Sequence, residues 1–200
     1  EALEQFFGEM PANTGMAFVV VQHLSPDYKS LMVELLSKHT PMPVRRADEE
    51  ILVEPDNVYL IPPKKNLEIQ HGRLKLTDKG SQGVQLPIDI FFRSLAEDQA
   101  ERGIAVVLSG TGTDGVRGVR VLKEAGGLVV AQEPTSARFD GMPRAAISTG
   151  LVDFILPADQ LAARLARFAT DVKAALHVEP ERPVQTKDDG VAAVLDAVRK

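Results

Sequence analysis

The sequence contains no cysteine, which excludes disulfide bonds, thiolate chemistry and cysteine-based zinc sites. It also lacks an excess of positive charge, since 23 Lys and Arg residues face 28 Asp and Glu residues and the formal net charge is −5. A nucleic-acid partner is therefore not expected. No apolar run approaches the roughly 20 residues of a membrane-spanning helix. No signal peptide is visible either, so the sequence predicts a cytoplasmic protein that inserts into no membrane.

Short apolar runs alternate with helical patterns along most of the chain. The runs at 17–21, 104–108 and 128–131 predict strands that are buried on both faces. Between them, apolar residues recur at helical spacing. Gln70-His71-Gly72-Arg73 separates two alternating segments and predicts a hairpin. The predicted fold class is therefore α/β, with three layers, a doubly wound and mostly parallel sheet, and an inserted antiparallel hairpin.

The pattern changes near the C-terminus. Residues 1–176 read as one domain, whereas 177–189 are rich in proline and charge, as a linker would be. Residues 191–200 return to a helical pattern that stops in mid-period. We therefore expect 177–200 to be a linker followed by the start of a further helical segment.

Polar side chains follow two of the predicted buried strands. The first strand runs into Gln22-His23-Leu24-Ser25, and the strand at 104–108 runs into a glycine-rich loop that ends in Asp114. Function in open α/β sheets gathers at the carboxyl ends of strands. If the two strands are neighbours, His23 and Asp114 can meet there, and such a pair fixes the imidazole tautomer used in acyl transfer.

Structural roles for these residues remain open. An aspartate at the start of a helix commonly serves as an N-cap or a dipole partner. Ser25 and Ser109 are expected to form hydrogen bonds within their loops, and no G-x-S-x-G turn offers a nucleophile. His39 lies on the apolar side of its predicted helix and should pack there. No two histidines have the spacing of metal ligands, so a metal site is not expected.

A dinucleotide-binding module is a second interpretation of the same loop. Gly110, Gly112 and Gly115 form a literal G-x-G-x-x-G between a strand and a helix, and Glu133 follows about 20 residues later. Asp114 argues against it. A pyrophosphate would sit at this helix N-terminus, where the carboxylate would repel it and compete for the same N–H donors.

Several segments, in order, resemble CheB-type protein-glutamate methylesterases. Val20-Val21-Gln22-His23-Leu24 is similar to the family's segment around its catalytic histidine, and Leu108-Ser109-Gly110-Thr111-Gly112-Thr113-Asp114-Gly115 to the segment that ends in its catalytic aspartate. Tyr59-Leu60-Ile61-Pro62-Pro63, Ala131-Gln132-Glu133 and Gly141-Met142-Pro143 match further segments. The resemblance covers about residues 1–176.

The resemblance implies an esterase activity and a catalytic serine that is not in this sequence. The family hydrolyses glutamate γ-methyl esters of chemoreceptors with a Ser-His-Asp triad, without a cofactor or metal, and it deamidates certain glutamines. His23 would be the base and Asp114 the third member, while the serine and its strand would fall before Glu1. Thr111 stands where the family usually has methionine, and the N–H groups of Thr111 and Gly112 are candidates for an oxyanion hole.

Two further expectations concern partners. The loop variant with Ser109 and Thr111, and the tail from Glu179 onward, resemble the version of the family that is fused to a CheR-type methyltransferase. A non-catalytic module that docks on receptor helices or regulates a fused enzyme remains an alternative to the esterase.

Overall fold

The computed structural model describes residues 1–22, 31–79 and 86–176, without the side chains of 172–176. His23, Ser25 and the predicted linker and helical segment at 177–200 therefore lie outside the described residues.

Within those residues, helices and strands alternate as the apolar pattern predicts. The helices are α1 (Ala2–Glu9), α2 (Met32–Leu36), α3 (Pro87–Gln99), α4 (Val116–Glu124), α5 (Gly141–Ile147) and α6 (Ala158–Leu176). The strands are β1 (Phe18–Val20), β2 (Val44–Arg46), β3 (Ile51–Leu52), β4 (Val58–Leu60), β5 (Lys65–Gln70), β6 (Arg73–Asp78), β7 (Ile104–Val107), β8 (Leu128–Gln132) and β9 (Phe154–Leu156).

Six of these strands form two parallel sheets. In one, β4 lies between β1 and β2. In the other, β8 lies between β7 and β9. Among the described strands, β1 and β7 thus each have a partner on one side only.

The same two hydrophobic clusters cover both parallel sheets. Alternate residues of each strand point to opposite clusters, so that Tyr59 and Val107 belong to one, while Leu60 and Val130 belong to the other. The first cluster includes residues of α3, α4 and α5, and the second includes residues of α1, α2 and α6. The parallel strands therefore form the middle of three layers, which confirms the predicted fold class.

The antiparallel part packs against α3. β5 and β6 pair through all six residues of each, and β3 adds a third strand to this sheet. His71 and Gly72 connect β5 to β6 with φ of 51° and 70°, as a two-residue turn of the predicted hairpin requires. The Ser94 hydroxyl accepts the Ile69 N–H at 3.0 Å, and Asp98 accepts the Gly72 N–H at 3.2 Å.

Candidate active site

Asp114 lies buried in the loop between β7 and α4. Its side chain accepts two backbone hydrogen bonds, from the N–H of Ile88 and the N–H of Asp89, each at 3.0 Å. Both donors belong to the first turn of α3, where N–H groups have no partner within the helix. Asp114 therefore caps a helix, as one of the structural interpretations predicts, but it caps α3 and not the helix that follows it.

Asp89, in the first turn of α3, caps α4 in the same way. It is 4% exposed, and its side chain accepts the Gly118 N–H at 2.8 Å. Gly118 lies in the first turn of α4, so the loop before α4 supplies a capping carboxylate to α3, and α3 supplies one to α4. These capping hydrogen bonds, which link α3 to the loop and to α4, fix the position of Asp114.

Glycines allow the two helices to approach closely. A Cβ on Gly118 would collide with Phe92, and one on Gly115 would lie 2.9 Å from Ile88. Gly115 also has a φ of 96°, which favours glycine. The glycine spacing that suggested a dinucleotide site therefore serves helix packing at Gly115, and nothing in the structure supports the dinucleotide interpretation.

The start of the same loop is held by β8 and by the segment before α5. The Ser109 N–H donates to the Gln132 side chain at 2.9 Å, and the Ser109 hydroxyl accepts the Phe139 N–H at 3.0 Å. The Gly110 N–H donates to the Phe139 carbonyl, and the Gly110 carbonyl accepts the Met142 N–H, both at 2.9 Å. Ser109 thus forms loop hydrogen bonds, as predicted.

The tip of the loop presents main-chain donors to the surface. Thr111 and Gly112 are exposed, and within the described part of the chain neither N–H donates a hydrogen bond to the protein. Gly141 faces this tip, and a Cβ on Gly141 would lie 3.2 Å from the Gly112 nitrogen. The absence of a side chain at 141 therefore keeps the space beside the Gly112 nitrogen clear.

An ion pair flanks this opening. The Arg144 guanidinium donates to Asp140 at 2.6 Å, and this hydrogen bond holds the pKa of that carboxyl below its usual range. Asp140 and Arg144 thus balance each other's charge at the start of α5.

His23 itself is outside the described residues, so its meeting with Asp114 stays a prediction. The described chain reaches Gln22, two residues beyond the end of β1. Val21 packs against the same cluster as Val107 of β7.

Sequence reasoning missed three supporting residues. Asp89, Gln132 and Gly141 hold or shape the loop through contacts that join segments far apart in the sequence. The resemblance had marked the segments around Gln132 and Gly141 but assigned no role to them. For Asp89, the available signal was an acidic residue in the first turn of a predicted helix.

The described residues contain neither a metal-ligand cluster nor a membrane-spanning helix. No set of His, Asp and Glu side chains in them converges as metal ligands would. No helix in the same residues has the length and apolarity needed to cross a bilayer.

Comparisons with known proteins agree with this geometry. The structure is similar to the crystal structure of the Thermotoga maritima CheB methylesterase catalytic domain, with a TM-score of 0.75 and 28% identity, over 84% of this chain and 91% of that one. A protein-glutamate methylesterase/protein-glutamine glutaminase of Anaeromyxobacter dehalogenans is 37% identical over 82% of this chain and 49% of its own length. An uncharacterized 104.1 kDa protein of Rhodobacter capsulatus is 44% identical over 68% of this chain and 14% of its own length.

The chain thus spans half or less of the length of these curated relatives. The family profile described as CheB methylesterase matches residues 1–165, which is most of the chain and includes the whole loop around Asp114. The chain therefore belongs to the CheB methylesterase family.

Proposed function

We propose that this domain hydrolyses glutamate γ-methyl esters on the cytoplasmic helices of chemoreceptors, with glutamine deamidation as a second activity. The observation that carries the proposal is the buried carboxylate of Asp114 in the loop that follows β7. Relatives of this chain are named protein-glutamate methylesterases, which supports the same activity. His23 would act as the base, and Asp114 would orient its ring.

The nucleophile, in this proposal, is a serine on a strand that lies between β1 and β7. Three features support that place. The two parallel sheets share both hydrophobic clusters, and β1 and β7 each lack a partner on one side among the described strands. On the second cluster's side, α1 contacts both α2 and α6, while α2 contacts β2 and α6 contacts β8 and β9.

These contacts support a position of α1 above the space between β1 and β7. A strand that precedes α1 and enters this space would complete a strand–helix–strand unit with β1. The carboxyl ends of this strand, β1 and β7 would then share one edge of the sheet, where serine, His23 and Asp114 can meet.

The reaction would proceed in two acyl-transfer steps. The serine oxygen attacks the ester carbonyl while His23 takes the hydroxyl proton, and the N–H groups of Thr111 and Gly112 stabilise the oxyanion. The carbon–oxygen bond to the methoxy group breaks, and methanol leaves with the proton from His23. Water, deprotonated by His23, then attacks the acyl carbon, the bond to the serine oxygen breaks, and that oxygen takes the proton back from His23 as glutamate leaves.

The test uses the protein extended at its N-terminus to include the nucleophile strand, with methanol release from a methylated receptor fragment as the assay. His23→Ala should abolish release. Asp114→Asn should reduce kcat by about 10⁴-fold, because the wrong imidazole tautomer is then favoured. His39→Ala and Asp78→Asn, which change exposed residues of the same types, should leave it unchanged.

Two results would contradict this assignment. Most of the activity surviving in His23→Ala would remove that residue from the mechanism. A loss of less than tenfold in Asp114→Asn would leave Asp114 only its capping role.

The same proposal extends to a fusion with a CheR-type methyltransferase. The size of the Rhodobacter relative leaves room for a fused domain, since the matched region is only 14% of a 104.1 kDa protein. No observation favours the purely regulatory alternative.

A further inference from the structure

Phe139 is an aromatic residue that is held at the surface beside the Asp114 loop. Its side chain is 52% exposed, although its backbone is fixed at both polar atoms by Ser109 and Gly110. A large apolar group costs free energy when it is exposed to water. An aromatic side chain on an anchored backbone also loses little conformational entropy when it binds a partner.

A free positive charge accompanies this ring. The guanidinium carbon of Arg138 lies 5.5 Å from the centre of the Phe139 ring, and no carboxylate of the described residues pairs with Arg138. The adjacent charges of Asp140 and Arg144 already balance each other. Arg138 therefore leaves a local positive charge on a chain whose net charge is −5.

We propose that Arg138 and Phe139 form a clasp for the protein substrate, which binds the segment next to the esterified glutamate. The ring would contact an apolar side chain of that segment, and the guanidinium would pair with one of its carboxylates. This inference rests on the proposed function, since it concerns the substrate of the same site. It assigns the clasp to recognition of the substrate and gives it no part in the bond-breaking steps.

The position of the clasp explains why it would affect large substrates selectively. Its backbone hydrogen bonds join it to Ser109 and Gly110, at the start of the loop whose tip carries the N–H groups of Thr111 and Gly112. A substrate that bound at those N–H groups would have to extend beyond its ester group to reach Phe139. In this proposal the clasp binds the residues that flank the esterified glutamate, which a single esterified amino acid lacks.

The experiment compares two substrates of the N-terminally extended protein. One is N-acetylglutamate γ-methyl ester, and the other is a synthetic helical peptide in which the esterified glutamate is flanked by leucine and glutamate. For Phe139→Ala, the ratio of kcat/KM for the peptide to that for the small ester should fall about tenfold, as for an aromatic contact at an interface. Phe168→Ala, which removes a 41% exposed ring from α6, should leave the ratio unchanged.

Arg138→Gln provides a second variant. Hydrolysis of the peptide by the unaltered protein should weaken as salt is added, and this dependence should be smaller in the variant, because screening acts on the lost ion pair.

The clasp is overturned if the ratio stays constant in Phe139→Ala, whether both rates fall together or neither changes. A different result, in which the unaltered protein hydrolyses neither substrate, contradicts the proposed function and the clasp with it.

Discussion

At Asp114, one carboxylate serves both stability and orientation. It is 6% exposed and takes both of its described backbone hydrogen bonds from α3. An Asn at this position offers only one side-chain oxygen as an acceptor, so one of the two α3 donors would lose its partner. Thermal stability should therefore be recorded alongside the kinetics of Asp114→Asn.

Gly141 gives a prediction about the loop tip. Gly141→Ala would put a methyl group 3.2 Å from the Gly112 nitrogen and would crowd the donor that we assign to the oxyanion. We expect kcat for methyl ester hydrolysis to fall about tenfold or more, because complete loss of an oxyanion donor costs ~10²–10³-fold.

Gly8→Ala is the matched control for this variant. An added Cβ at Gly8, an exposed position in α1, meets no atom within 4 Å, so activity should not change. Full activity in Gly141→Ala would show that Gly112 does not act as a donor in the reaction.

Sequence reasoning located Asp114 because the end of a buried strand is visible in the apolar pattern. It could not locate Asp89, whose acceptor role depends on Gly118, 29 residues further along and on another helix. The prediction for His39 was wrong. Helix α2 ends at Leu36, so the helical spacing does not continue to residue 39, and His39 is exposed.

At the scale of elements, the two capping carboxylates couple α3 to α4. Asp89→Ala would leave the buried Gly118 N–H without its acceptor, which costs about 1–3 kcal/mol. We expect the free energy of unfolding, measured in urea, to fall by that amount.

Asp159→Ala is the matched control, since Asp159 is an exposed acid in the first turn of α6. Its loss should cost less than ~1 kcal/mol, which is the usual range of a helix-dipole interaction. Equal losses of unfolding free energy in the two variants would show that the Asp89 cap contributes no more than an ordinary helix-dipole interaction.

At the scale of the whole molecule, Tyr59 joins the parallel sheet of β4 to the antiparallel sheet of β3. The residue is fully buried, and its hydroxyl accepts the Glu54 N–H at 2.9 Å and an Arg45 N–H at 3.2 Å, while it lies 3.3 Å from the Leu52 carbonyl. Tyr59→Phe should therefore lower the free energy of unfolding by about 1–3 kcal/mol.

Ser37→Ala removes an exposed hydroxyl as a control and should change stability by less than ~0.5 kcal/mol. A Tyr59→Phe protein as stable as the unaltered one would show that these hydrogen bonds make no net contribution.

The apolar pattern predicted the three layers because strands buried on both faces have few polar residues. It could not predict that β4 lies between β1 and β2 or that β8 lies between β7 and β9, since pairing partners are chosen by tertiary contacts. Strand β9 begins at Phe154. Asp153, the residue before it, is bound to the neighbouring strand β8. Its N–H donates to the Val129 carbonyl, and its carboxylate accepts the Val129 N–H.

The contacts along α3 link two distant parts of the molecule. Near its C-terminal end, Ser94 and Asp98 hold the hairpin, and at its N-terminal end the N–H groups of Ile88 and Asp89 hold Asp114. A fluctuation that detaches the hairpin from α3 would therefore also loosen the N-terminal end of α3, which holds the Asp114 carboxylate. Local opening at either end should thus belong to one cooperative unit, so that a ligand that orders Asp114 would also slow the opening of the hairpin.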